Sequence, residues 1–445
     1  MSEFGNFCLL LAFSLCIYSA FAAVFGAVQK QHRIVRSAER AALAGCGAIA
    51  LSLGSLVYLL ITSDFSVSHV ASASNRDLPV YYKIAALWGA HDGSMLLWIF
   101  VTSIFSGVVI YQNRFRYRDM MPYVVAVLMV NLAFFLCLNL FLSNPFQQLV
   151  QVNPDGTMQK FAPPDGRGLN PLLQYWAMVI HPPILYMGFI GFVVPFAFAF
   201  AALATKQLGD SWIRTIRRWT LVPWMFLGAG LILGGKWAYI EMGWGGYWGW
   251  DPVENASLLP WITATAFLHS VMMQEKRGML KMWNMWLIFA TFWLAILGTF
   301  LTRSGIISSV HAFAQSSIGG WFKWFLLITL VTFTYFFFKN KSHLRSEHKL
   351  NPYRAQIQAR AVENTVFVVQ ANAPANQDLS GSHGQSRVIA PDGNILQEAS
   401  IFDEDVVVTT LDLHKATRAN ARNSLTRGPF RDWWEDGLRR VRVIE

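Results

Sequence analysis

Charge is scarce in this 445-residue chain: Asp, Glu, Lys and Arg make up 14% of it, against 54% hydrophobic and 15% aromatic residues. A water-soluble enzyme carries about a quarter charged residues, so this composition argues against that class and for a membrane protein. Cysteine is scarcer still. Cys8, Cys16, Cys46 and Cys137 fall in apolar stretches, form no C-x-x-C pair and have no histidine beside them. That excludes thiol–disulfide chemistry and reads as four small buried hydrophobes. Acidic residues are outnumbered 26 to 36, giving a formal net charge of +10.

What the sequence has instead is long apolar runs, each able to cross a bilayer as a helix of roughly 20 residues. They fall near residues 6–28, 40–62, 92–111, 121–143, 177–204, 220–238, 256–273, 284–301 and 321–338. The basic residues gather in alternate short loops: Lys30, Arg33, Arg36 and Arg40; Arg114, Arg116 and Arg118; Lys206, Arg214, Arg217 and Arg218; Lys276, Arg277 and Lys281; Lys339, Lys341, Arg345 and Lys349. This positive-inside pattern accounts for the net charge without a nucleic-acid partner. It predicts an all-α polytopic protein of about nine spans with its N-terminus outside. The first run lacks a basic segment before it and a cleavage site after it, so it is expected to be an anchor and not a signal peptide.

The loops then expected outside are 63–91, 144–176, 239–255 and 302–320. One contains "WGGYWGWDPVEN", which crowds Trp244, Tyr247, Trp248, Trp250 and Asp251 around Gly245, Gly246 and Gly249, with Pro252, Glu254 and Asn255 following. Another holds "VIHPPILY", whose Pro182 and Pro183 suit the first turn of a helix and would set His181 at its entrance. The last offers His311 in "TRSGIISSVHAFAQSS". Aromatic rings also collect at membrane interfaces as a plain belt, and a lone outer His is ordinarily solvated. In combination, two imidazoles for the axial bonds of an iron and indole rings to cover a macrocycle suit haem. His269 lies about 13 residues, roughly 20 Å, into its span. Ionisable side chains at that depth are usually functional, although one near the inner interface can simply bond a neighbouring helix. His91, also outside, reads as structural or substrate-facing.

The stretches "YKIAALWGAHDGSMLLW", "SNPF", "LNPLLQYWAMVIHPPILYMGFIGF", "WAYIEMGWGGYWGWDPVENASLLPW", "GTFLTRSGIISSVHAFA" and "LRSEHKL" resemble the CcmF-type haem lyases of bacterial cytochrome c maturation, within the wider family of haem-handling membrane proteins that carry a tryptophan-rich "WWD" loop. The resemblance covers residues 1–350, with the loop at 239–261. It implies a haem at the periplasmic face with His181 and His311 as axial ligands. Trp244, Gly245, Gly246, Tyr247, Trp248, Trp250, Asp251, Pro252, Glu254 and Asn255 would form its platform, and His269 would be one ligand of a haem b within the bacterial inner membrane. The implied reaction adds the two thiols of an apocytochrome c C-x-x-C-H motif across the haem vinyl groups. The implied partners are a CcmE-type haem chaperone, CcmH/CcmI-type proteins and the lipid bilayer. Tyr247 and Gly249 replace bulkier aromatics of the family. The family's later spans and periplasmic domain have no counterpart after "LRSEHKL", so the resemblance implies a chain that binds haem better than it ligates it. A haem transporter or relay without lyase chemistry would share the same loop and histidines.

Beyond residue 350 the sequence alternates strand-like runs, "TVFVVQANA" and "DVVVTTLDL", with the turn residues Pro391, Asp392 and Gly393. Residues 351–445 are therefore expected to be a small cytoplasmic α/β tail. "YRAQIQARAVENTVFVVQANA", "GSHGQSRVIAPDGNILQEA" and "DVVVTTLDLHKATRANARNSLTRGPF" resemble the C-terminal third of a nitrilase-superfamily carbon–nitrogen hydrolase. That family needs a Cys nucleophile, a Glu base and a Lys, all upstream of the matching region, and no cysteine follows Cys137. A membrane-anchored hydrolase is disfavoured for that reason; the tail is expected to be a remnant without catalytic residues of its own.

Overall fold

The computed structural model describes residues 1–153, 157–208, 212–241, 246–277, 280–307, 309, 317–344, 351–372, 385–399 and 405–426. The chain divides into two compact units, Met1–Lys341 and Ser342–Glu445.

The first unit is helical. Its long helices are α1 (Ser2–Val28) and α2 (His32–Ile61), then, after the short α3 (Ser68–Ala73) and α4 (Val80–Gly89), α5 (His91–Asn113) and α6 (Met121–Phe141). A small exposed hairpin, β1 (Val150–Val152) with β2 (Met158–Lys160), precedes α7 (Trp176–Gly191) and α8 (Val193–Thr205). Helices α9 (Ile213–Glu241), α10 (Pro252–Arg277), α11 (Lys281–Ser304) and α12 (Ile318–Lys339) complete the unit. Helices α7 and α8 make one 30-residue span. It is broken at Phe192 because Pro195 has no N–H to give the carbonyl of Gly191, four residues back.

Among the described residues nine spans are long and apolar enough to cross a membrane, matching the nine expected runs with ends that differ by several residues. Large apolar side chains point out of the bundle, Phe21 and Ile232 each 76% exposed. Such surfaces are stable against lipid tails and costly in water. The chain is a multi-pass membrane protein.

Side-chain bonds sort the helix ends into two sets. At one end Gln148 donates to Ser2, Asn144 to Asn6, and Arg303 to Ser94. At the other, Tyr18 bonds Ser37, Tyr117 bonds Thr215, Gln207 donates to Asp119 and Arg217 pairs with Glu275. The alternation of basic loops follows this up-and-down threading.

The second unit holds α13 (Asn351–Asn364), an antiparallel sheet β3 (Val368–Gln370), β4 (Arg387–Ile389), β5 (Ile395–Glu398), and α14 (Ala419–Thr426). The turn joining β4 to β5 runs through Pro391, Asp392 and Gly393. Gly393 has φ +85°, and the Asn394 amide donates to the Asp392 carboxylate. The expected strand over "DVVVTTLDL" does not form: in that stretch Val406 and Val408 are 84% and 74% exposed. Alternation creates an apolar face, but among the described residues nothing covers this one, so it gains no burial.

Helices α7 and α9 cross at glycines. A Cβ on Gly188 would lie 2.5 Å from the Leu227 backbone, and one on Gly191 would lie 2.6 Å from Pro223. Around Gly47 and Gly54 of α2, by contrast, a Cβ would meet nothing within 4 Å. Gly188→Ala should therefore lower stability in detergent by about 1–3 kcal/mol, the usual cost of overpacking. Gly47→Ala and Gly54→Ala should be neutral or mildly stabilising. Thermal unfolding midpoints of the three variants check this, and a Gly188 variant as stable as the parent would contradict the close crossing.

Candidate functional site

The site grows out of the α7–α9 crossing. Gly230 and Gly234 of α9 face Leu185 and His181 of α7, and a Cβ on Gly234 would come within 2.7 Å of His181 Cε1. Small residues at such a crossing let helix backbones approach closely. The His181 ring is thereby pressed onto α9. It is buried at 9% exposure, and its Nδ1 lies 2.9 Å from the Gly230 carbonyl. A carbonyl only accepts, so Nδ1 is the donor in this bond.

His181 is not at a helix entrance as expected. Helix α7 begins five residues earlier, and Pro182 and Pro183 lie inside it. An interior proline removes one backbone donor, and Pro182 frees the carbonyl of Met178. The indole Nε1 of Trp88, just before the end of α4, donates to that oxygen at 2.8 Å. The side-chain bond replaces the missing backbone one and ties α4 to α7.

Beside His181 opens a cavity of about 340 Å³. Aromatic side chains from four helices and the loop before α10 line it: Trp88, Trp98, Tyr186, Phe189, Trp237 and Trp248. Its polar lining includes Glu254, Thr299, Thr302 and Arg303. Arg303 is 2% exposed and donates to Ser94 Oγ at 2.8 Å and, at 3.4 Å, to the His91 carbonyl and the Tyr186 hydroxyl. A buried guanidinium is costly unless it is well bonded or neutralised. Next to it His91 Nδ1 lies 2.9 Å from Ser143 Oγ, and Ser143 donates to Asp92, so His91 has a structural place at the start of α5.

The aromatic stretch has more local order than a flexible loop. Asp251 caps α10: its carboxylate accepts from the Val253 amide at 3.0 Å, and Glu254 accepts in return from the Asp251 amide at 3.2 Å. Together they form a reciprocal N-terminal cap, with Asp251 accepting from the second helical amide. Glu254 also accepts from the Gly249 amide, and Asn255 donates to the Trp250 carbonyl. Pro252, Glu254 and Asn255, expected in the loop, form the first turn of the helix. Ser309 donates to Asp251 at 2.6 Å, joining this turn to the segment after α11. The chain folds back onto α9, where a Cβ on Gly235 would lie 2.7 Å from the Tyr247 carbonyl and where Tyr247 stacks on Tyr239.

Of the expected platform, Trp248 and Glu254 line the cavity. Trp250 is 74% exposed and holds a left-handed φ of +55°, uncommon for a bulky side chain. Gly246 is described and half-buried. Trp244, Gly245 and His311 lie outside the described residues. His269 is exposed on α10, 17 residues from the helix start and thus about 26 Å along its axis. It is distant from the cavity in sequence register and is not among its lining residues.

Trp88, Trp98, Tyr186, Trp237 and Arg303 were not singled out from sequence. One signal was available for Arg303: it ends an apolar span on the side opposite the basic loops, against the charge pattern.

Residues 88–308 match the cytochrome C assembly protein family, and residues 336–421 match the carbon–nitrogen hydrolase family over a short stretch. The chain is 44% identical over 330 residues to the cytochrome c-type biogenesis protein CcmF of Pseudomonas aeruginosa, covering 74% of this chain and 49% of that protein. It is 39% identical over 373 residues to CcmF of Escherichia coli, covering 83% and 56%. A solved structure of the cytochrome c heme lyase CcmF superposes with a TM-score of 0.64 at 28% identity, over 80% of this chain and 55% of that one. The chain thus spans about half the length of the curated relatives it matches. With its membrane helices, its glycine crossing and the cavity at His181, the helical unit belongs to the CcmF cytochrome c assembly family.

Proposed function

We propose that this chain holds haem at the outer, periplasmic face of a bacterial inner membrane and presents it for attachment to apocytochrome c. The observation that carries the reading is the His181 imidazole, its Nδ1 bonded to the Gly230 carbonyl beside an aromatic cavity. That bond orients the ring as a backbone carbonyl orients a metal-bound histidine. Haem supplies an iron that accepts imidazole and two vinyl groups that accept thiols. His181, on α7, would hold the iron, with His311 assigned as its second ligand. Trp248, within the expected platform, and the buried Arg303 both line the cavity; Trp248 would pack against the macrocycle and Arg303 would pair with the carboxylates such a ligand carries.

Each thioether forms one C–S bond, the thiol proton passes to the neighbouring vinyl carbon, and no net electrons are exchanged. The protein's share is positioning. A C-x-x-C-H apocytochrome supplies the thiols. A CcmE-type chaperone would deliver haem, with CcmH/CcmI-type proteins presenting the apocytochrome. His269, exposed on α10, is assigned to a separate haem b within the membrane. Residues 351–445 are proposed to be a cytoplasmic remnant of a carbon–nitrogen hydrolase, without the nucleophile, base and lysine positions on which that family's chemistry depends.

The test has two readouts. Purified protein should show a bis-imidazole haem spectrum that His181→Gly loses and added imidazole restores. The chain should also be expressed in a strain lacking its own CcmF, together with an apocytochrome c and the part of Escherichia coli CcmF that the chain does not match. Covalent cytochrome c should then appear on a haem-stained gel, and His181→Gly should reduce it by at least about tenfold, the scale of losing an orienting contact. Haem binding without any covalent product would favour transport or relay over ligation. Unchanged haem in His181→Gly would remove that residue from the site.

The cap gives a second expectation. Asn caps helices as well as Asp, so Asp251→Asn should keep both the fold and the haem, whereas Asp251→Ala should cost about 0.5–2 kcal/mol and loosen haem retention. Equal haem occupancy and thermal midpoints in the Ala variant and the parent would show that the cap does not order the platform.

A further inference from the structure

A second cavity, of about 440 Å³, lies at the opposite end of the bundle, where α2 begins and α5 passes into α6. It contains five arginines: Arg36 and Arg40 from α2, and Arg114, Arg116 and Arg118 from the α5–α6 turn. Glu39 is the one acidic side chain lining it. The ion pairs among the described residues include none of the five. By contrast Arg217, at the same end of the bundle, is paired with Glu275 at 2.5 Å.

The positive-inside tendency alone asks for basic residues in these loops but not for convergence on one concavity. Apolar side chains of Val35, Leu43, Ile110 and Met121 also line it, with Ile110 and Met121 buried. Arg114 stacks over Tyr111 and Phe115, with its guanidinium carbon 4.6 and 4.8 Å from the ring centroids. That packing holds one guanidinium in place at little further entropic cost. A ligand complementary to this cavity carries negative charge able to accept forked hydrogen bonds, and next to it an apolar portion. A soluble anion matches only the arginines.

We infer that this cavity binds the phosphate headgroup of an anionic phospholipid, with the glycerol and upper acyl carbons on the apolar side chains. Basic pockets between membrane helices suit such headgroups on physical grounds, and guanidinium pairs phosphate bidentately. The bound lipid joins the α1–α2 end to the α5–α6 turn by neutralising charges that otherwise repel.

The test uses the full chain purified in detergent, titrated separately with phosphatidylglycerol, phosphatidylcholine and inorganic phosphate, with adducts counted by native mass spectrometry and stability read as the thermal midpoint. Phosphatidylglycerol should bind saturably and raise the midpoint; phosphatidylcholine and phosphate should do neither. The triple variant Arg36→Gln, Arg114→Gln, Arg118→Gln should weaken phosphatidylglycerol binding by about a hundredfold, from roughly fivefold per arginine. Arg217→Gln, outside the cavity, should leave it unchanged. If the triple variant misfolds, the Arg→Lys triple, which keeps charge but not the forked geometry, should bind more weakly than the parent. Equal phosphatidylglycerol binding in parent and folded variants overturns the proposal. Equal protection by inorganic phosphate overturns the lipid assignment in favour of a free anion.

Discussion

The first unit depends on how closely two helices can approach. Where α7 meets α9, glycines leave no side chain between backbones, and a methyl group at Gly188 or Gly234 would overlap its neighbour. That approach brings the Gly230 carbonyl within hydrogen-bonding distance of His181 and so orients its ring. It also leaves room beside the crossing for rings from α4, α5 and α7 to line a cavity. The prolines after His181 look disruptive in isolation. Their cost is offset locally, because the carbonyl freed by Pro182 accepts from Trp88 and that bond fastens the cavity wall.

A second constraint acts at the other side of the cavity. The tryptophan-rich turn is held by reciprocal bonds between Asp251 and Glu254 and by Ser309 reaching across from the segment after α11. One carboxylate thus serves the helix cap and a long-range contact together. Trp248 reaches the cavity because the turn around it is fixed, while Trp250 stays outside it.

The spans and their up-and-down threading were legible because hydropathy runs and loop charges are one-dimensional signals. The start of α7 was not, because "HPP" favours a helix start locally, whereas the long-range bond from Trp88 satisfies the Met178 carbonyl that Pro182 frees inside the helix. Residues 252–255 read as loop because an Asp-Pro pair suggests a turn, yet Asp-Pro-Val-Glu is also an N-terminal cap and a helix start. The cavity's aromatic walls were hidden for a different reason: Trp88, Trp98 and Trp237 resemble any membrane aromatic until helices from distant parts of the chain converge. In the tail, alternation at residues 405–412 signalled a strand that the described structure does not pair.

The glycine crossing holds His181 against α9, and the proposed haem ligation depends on that contact. Gly234→Ala tests it most directly, because residue 234 cannot itself bind iron and the substitution pushes on the imidazole alone. The purified variant should fold but show an altered or lost bis-imidazole haem spectrum, restored in part by added imidazole. A variant with the parent's haem content and spectrum would contradict it.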